Sequence, residues 1–180
     1  VFSRHGYGLA WISDRLRDLA HESLLNGPEG NWDLGTRDVG SYATFSDVVN
    51  YFDWLGSKVS DSLTRYERLT HASKFIKHQE KKLVSTMLYG KENVKGLAHY
   101  PKIKIIGGLE NKLREGLVSF SLPLIPSEIL VNELNLRGVR THIRKSDHYS
   151  SNILEPLDLE SCVRVSMCHY NSEEEVIHFL

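Results

Sequence analysis

The chain is poor in cysteine, holding only Cys162 and Cys168 in 180 residues. Both fall in Cys162-Val163-Arg164-Val165-Ser166-Met167-Cys168, which reads as a strand because β-branched residues alternate with smaller or polar ones. Strand geometry would hold the two about 20 Å apart, against a disulfide limit of about 7 Å between α-carbons. Free thiols, a reducing compartment and hence a cytoplasmic protein are expected. No apolar run approaches the roughly 20 residues that span a bilayer, and Val1-Phe2-Ser3-Arg4-His5 lacks the plan of a signal peptide. An excess of charge of one sign is missing too. The 22 Lys and Arg face 23 Asp and Glu, which leaves no field to draw nucleic acid or an anionic membrane. Metal-ligand spacing is also lacking: the histidines show no His-Glu-x-x-His pair, and two cysteines spaced along one strand form no zinc knuckle.

What is present is the make-up of a globular protein, 41% hydrophobic and 25% charged, able to bury one or two small cores. Tyr7 to Ile12 reads as a short buried strand, and Ser13 as the cap of a helix through Leu19. The turn-rich Asn26-Gly27-Pro28-Glu29-Gly30-Asn31 then delivers the chain to Trp32-Asp33-Leu34-Gly35-Thr36-Arg37-Asp38. Apolar residues at three-to-four spacing predict a helix from Val39 to Leu55, ended by Gly56. A second runs from Asp61 to Tyr89 with Leu63, Tyr66, Ala72, Phe75, Ile76, Leu83 and Met87 on its apolar stripe. At about 40 Å it is long enough to join two domains. Beyond Gly90 the pattern is compact α/β. Strands are expected at Lys102–Ile106, Gly116–Ser121 and Val139–Arg144, and a helix from Ser127 to Arg137 is stopped by Gly138. Asp147 to Asn152 is a polar loop, and Ser172 with Glu175 forms a capping box for a last helix.

Three segments, in order, resemble the class-V, fold-type-I enzymes that depend on pyridoxal phosphate (PLP), in particular the cysteine desulfurase-like group. Val1-Phe2-Ser3-Arg4-His5-Gly6-Tyr7-Gly8-Leu9 is similar to the loop and strand that follow the family's Schiff-base lysine. That lysine would stand just ahead of Val1, so no catalytic residue is assigned within these 180 residues. Trp32-Asp33-Leu34-Gly35-Thr36 is similar to the family's aromatic-acidic-x-Gly-Thr motif, whose Gly-Thr binds the cofactor phosphate of the neighbouring subunit. The run from Arg164 through Ser166, Tyr170, Asn171, Glu174 and Glu175 is similar to the family's last strand and helix, where the arginine binds the substrate α-carboxylate. Asp53-Trp54-Leu55-Gly56 adds a further match.

The residue chemistry agrees with these roles. Glycine lets a backbone approach an anion, a threonine hydroxyl donates, and the start of the following helix would offer N–H groups. Arg37, turned inward, would add charge to Gly35 and Thr36, and His5 would line the cofactor pocket; a plain helix-entry turn and a solvent-facing histidine are the alternatives. The planar guanidinium of Arg164 suits a carboxylate, and Val163 and Val165 point to the opposite face; an arginine facing only solvent is the alternative. A desulfurase needs a mobile cysteine to take the sulfur, and the family carries it between the strands ending near Arg144 and starting near Cys162. Lys145 to Pro156 contains none. Asp147, His148 and Tyr149 in that loop could instead meet substrate or move a proton.

The resemblance implies an α/β architecture: 1–60 ending the large cofactor domain, 61–90 an interdomain helix, and 91–180 a small domain with a mainly antiparallel sheet. It implies PLP as cofactor, an amino-acid substrate, a homodimer, and aminotransferase, epimerase or lyase chemistry in the complete enzyme, with this piece inactive alone. The alternative is a non-catalytic binding or dimerisation module with the family's fold.

Overall fold

The computed structural model describes residues 8–16, 18–32, 34–35 and 38–180. The chain divides into two compact units, Val1–Ala72 and Ser73–Leu180. The first holds α1 (Val39–Val59) and the start of α2 (Arg65–Tyr89), the second everything from Ser73 of α2 onward.

In the first unit, residues 8–13 adopt no regular structure, Trp11 is 87% exposed, and only Asp14–Leu16 makes a 3₁₀ turn. The strand expected from Tyr7 and the helix expected through Leu19 are thus both absent among the described residues. A strand is stable only against a neighbour, and the described part of this unit contains no other strand. Asp38 starts α1: its carboxylate accepts the N–H of Ser41 at 3.2 Å and the hydroxyl of Ser41 at 2.7 Å.

Gly56 does not end this helix. It lies buried inside it, where an added Cβ would stand 2.0 Å from the carbonyl oxygen of Arg68. The glycine therefore serves the close approach of α1 to the start of α2. Arg68 also forks onto Asp53, with Nε 2.7 Å from one carboxylate oxygen and an Nη 3.1 Å from the other. Gly56→Ala should destabilise this helix pair by roughly 1–3 kcal/mol through overpacking, read as a lowered melting temperature against wild type.

Helix α2 begins at Arg65, later than the sequence suggests, with the Thr64 hydroxyl accepting the N–H of Glu67 at 3.3 Å. Only part of its expected stripe is buried: Ala72, Leu83 and Met87 are inside, while Leu63 and Tyr66 are 93% and 80% exposed.

The second unit is built on a four-stranded sheet ordered β3-β4-β6-β5, from β3 (Lys104–Ile105), β4 (Leu117–Ser121), β5 (His142–Lys145) and β6 (Ser161–Ser166). Every pairing is antiparallel. A short hairpin of β1 (Gly90–Lys91) and β2 (Val94–Lys95) precedes it. The remaining helices are α3 (Ser127–Leu136), α4 (Ser151–Leu154) and α5 (Glu173–Phe179). Gly138, at φ 80°, follows α3 in the left-handed conformation that glycine adopts without strain.

Alternation along the strands gives the sheet two unlike faces. Val118, Phe120, Val163 and Val165 share a core with Leu83, Val84, Met87 and Leu88 of α2, Val131 of α3 and Val176 of α5. The opposite face carries Ser119, His142, Arg144, Cys162 and Arg164.

The expected capping box forms at α5: the Ser172 side chain accepts the Glu175 N–H, and the Glu175 carboxylate accepts the Ser172 N–H at 2.9 Å. Beside it, Glu173 pairs with Lys82 and accepts from Lys91 Nζ and Thr86 Oγ1, each at 3.1 Å. The hydrogen bonds from Lys82 and Lys91 hold its carboxyl down to about 2, with Thr86 adding to the effect. A carboxyl depressed on folding contributes stability that is complete above its ordinary value of 4.5 and is lost as pH falls toward 2. Glu173→Gln should therefore lower the melting temperature at pH 7 and flatten its fall between those two pH values. Parallel melts of both proteins across this range check it.

Candidate functional site

Gly35 lies in the first unit, exposed, with nothing within 4 Å of where a Cβ would stand. Ahead of it the loop is pinned by Trp32, which stacks on His21 with ring centroids 3.9 Å apart at 19°. The backbone at Gly35 is open on the side that a Cβ would occupy. The start of α1 is not the free set of N–H donors expected there, because Asp38 already places a carboxylate on the Ser41 N–H. Thr36, Arg37 and His5 lie outside the described residues.

Arg164 is in the second unit, near the middle of β6. Its Cα partners are Ser119 on β4 and His142 on β5, and Arg144 is opposite Cys162. Cross-strand neighbours share a face. Arg144 and Cys162 therefore stand one step along the sheet from His142 and Arg164.

This face is cationic and carries no carboxylate on its strands. The Nε of Arg164 is buried and has no hydrogen-bond partner. Burial lowers its guanidinium pKa, and the neighbouring Arg144 charge lowers it further. The Cys162 thiol is pushed up by burial, against an opposing pull from Arg144 and Arg164, so it is no counter-ion at neutral pH. A part-buried arginine beside a second arginine, with an orphaned donor, is an arrangement that an incoming anion relieves.

The other sequence-expected residues follow β5. Asp147 turns the chain by accepting the Tyr149 N–H at 2.9 Å, and the His148 and Tyr149 rings lie 4.0 Å apart. Tyr149 is 73% exposed. Ser146, one place beyond β5, donates its N–H to the Glu160 carbonyl at 2.8 Å, yet its buried hydroxyl has no partner. Sequence reasoning passed over Arg144, His142 and Ser146. The alternation at Val139–Arg144 was visible, but only the register of β5 on β6 puts 142 and 144 beside 164. Among the described residues no group of His, Cys, Asp or Glu is arranged to hold a metal ion, and no helix is long and apolar enough to cross a membrane.

The family model of class-V aminotransferases matches residues 70–179, more than half of the chain and all of the sheet just described. The chain belongs to the class-V aminotransferase family. Class-V aminotransferases and cysteine desulfurases depend on PLP. A probable cysteine desulfurase of Borreliella burgdorferi is 24% identical over 205 aligned residues, covering 100% of this class-V chain and 43% of its own length. The chain thus spans less than half of that curated relative.

Two solved structures share the fold. The apo structure of a cysteine desulfurase from Thermococcus onnurineus NA1 has a TM-score of 0.64 at 22% identity, over 87% of this chain and 33% of that one. A cysteine desulfurase from Escherichia coli has a TM-score of 0.55 at 18% identity, over 88% and 34%. The mixed α/β fold with antiparallel sheets is that of this class-V, cysteine desulfurase-like group.

Proposed function

We propose that the chain is part of a PLP-dependent enzyme acting on an amino acid by transamination, epimerisation or lyase chemistry. In this reading Arg164 holds the substrate α-carboxylate. The observation that carries it is the buried, unpartnered Nε of Arg164 on a sheet face whose strands carry no carboxylate. PLP, when bound, serves as an electron sink for bonds at the substrate α-carbon. Gly35, and Thr36 beside it, hold its phosphate across a homodimer. The open backbone at Gly35 supports this, and Arg37 and His5 are the further candidates around it.

The chain's own residues bind and orient. A bidentate guanidinium fixes the carboxylate and so sets which α-carbon bond is presented for reaction. Asp147, His148 and Tyr149 stand on the loop after β5, where an exposed phenol and imidazole can meet substrate and move a proton. The Schiff-base lysine is supplied from outside these residues, so they are inactive alone. Residues 1–60 belong to the large cofactor domain, 61–90 to the interdomain helix and 91–180 to the small domain. The passage of α2 from the first compact unit into the second supports that division. The enzyme works in the cytoplasm.

Sulfur transfer is disfavoured by the loop, which has no cysteine from Lys145 to Pro156, while Cys162 is buried and held protonated. The complete enzyme given L-cysteine should form no persulfide on this chain, and amino acids should instead yield keto acids, racemised product or eliminated groups. Turnover that leaves a persulfide on Cys162 or Cys168, read by mass spectrometry, contradicts this.

A further inference from the structure

If Arg164 takes the α-carboxylate, one substrate carboxylate does not complete the face around it. Arg144 is on the same face, diagonal to Arg164 across the β5–β6 ladder, at roughly 7–8 Å between Cα atoms. Its side chain makes no ion pair or hydrogen bond within the described residues. Ser146 extends the same row: its N–H to Glu160 continues the ladder for one place, which keeps 142, 144 and 146 on one side. Its buried hydroxyl, like the Arg164 Nε, has no partner.

The other groups facing these arginines do not neutralise them. Cys162 is a neutral thiol, Ser119 and His142, which flank Arg164, bring no negative charge, and Glu160, set beside Ser146 by the same extension of the ladder, is exposed and pairs with neither arginine. A single carboxylate is satisfied by one bidentate guanidinium, and after it binds, Arg144 and Ser146 still lack an acceptor. Of the two, the Ser146 hydroxyl is buried, and a buried donor left without a partner is costly, so native sites leave few of them when loaded.

We propose that this face recognises an amino acid with an acidic side chain, Arg164 taking the α-carboxylate and Arg144 with the Ser146 hydroxyl taking the second anionic group. This rests on the carboxylate role given to Arg164 above, and it names the substrate class that role leaves open. Arg144 is then a specificity-determining residue. Truncating it penalises acidic substrates and leaves monoanionic ones nearly untouched.

The test uses the 180-residue chain with succinate as a dianionic probe and monomethyl succinate as its one-charge counterpart. Ionic strength is held constant so that screening is equal. Binding is followed by the NMR signals of the arginine Nε–H groups. Succinate should bind about tenfold or more tightly than the monoester and shift both Arg144 and Arg164, whereas the monoester shifts Arg164 alone. Arg144→Gln should bring the two affinities together, and Ser146→Ala should narrow the gap. The wild-type ratio needs no variant to fold. Equal affinities, with Arg164 still responding, overturn the second anionic subsite and leave the carboxylate role standing. No response of Arg164 to either probe overturns both.

Discussion

Replacing Arg164 by Gln is expected to raise the KM of the complete enzyme for its amino acid by about 10²-fold and to leave kcat within about threefold. The carboxylate is held alike in the bound substrate and in the transition state, so losing its partner weakens binding uniformly. The same substitution should not lower the melting temperature. Arg164 has an orphaned buried Nε and a like-charged neighbour in Arg144, and removing a partly desolvated charge beside a like charge relieves rather than harms the folded state. An arginine kept only for structure would show the reverse, a lower melting temperature with an unchanged KM. Kinetics and thermal melts on one variant therefore separate the two roles.

The largest effect on stability is expected at Leu83. Its side chain is fully buried, at 0% exposure, in the core formed by α2 against Val118, Val163 and Met167. Leu83→Ala should cost about 2–5 kcal/mol, the transfer of the lost methyl groups plus the cavity left behind. Leu63, 93% exposed, belongs to the same apparent apolar stripe, and its replacement by Ala should change stability by less than about 0.5 kcal/mol. Urea unfolding of the two variants checks the contrast.

That contrast shows what sequence can and cannot convey. Periodicity identifies α2 as a helix, but burial depends on what packs against each stretch, and Leu83, Val84, Met87 and Leu88 are the residues of α2 in the core of the second unit. Local signals read well. Ser172 and Glu175 satisfy one another within one turn, so the capping box is written into four residues. The strands β4 and β6 and the helix α3 were likewise legible from alternation and from the stop at Gly138. Thr64 and Glu67 offered the same kind of start signal for α2, which the longer apolar pattern obscured.

Long-range demands read poorly. Gly56 looks like a helix stop, yet its missing Cβ matters because the Arg68 carbonyl passes 2.0 Å from that point. The β1–β2 hairpin was hidden because its turn places Glu92, not Gly or Asn, at φ 53°. The site follows the same division. Arg164 was found through the motif around it, and Gly35 likewise. Arg144, His142 and Ser146 depend on strand register, a property of the fold rather than of any segment.

The carboxylate role of Arg164 is tested most directly by comparing the complete enzyme's apparent affinity for an amino acid with that for the corresponding amine, which lacks only the carboxylate, in wild type and in Arg164→Gln. Wild type should favour the amino acid by about 10²-fold, and the variant should reduce that preference to near unity. An undiminished preference in Arg164→Gln would place the carboxylate on another residue and contradict the assignment.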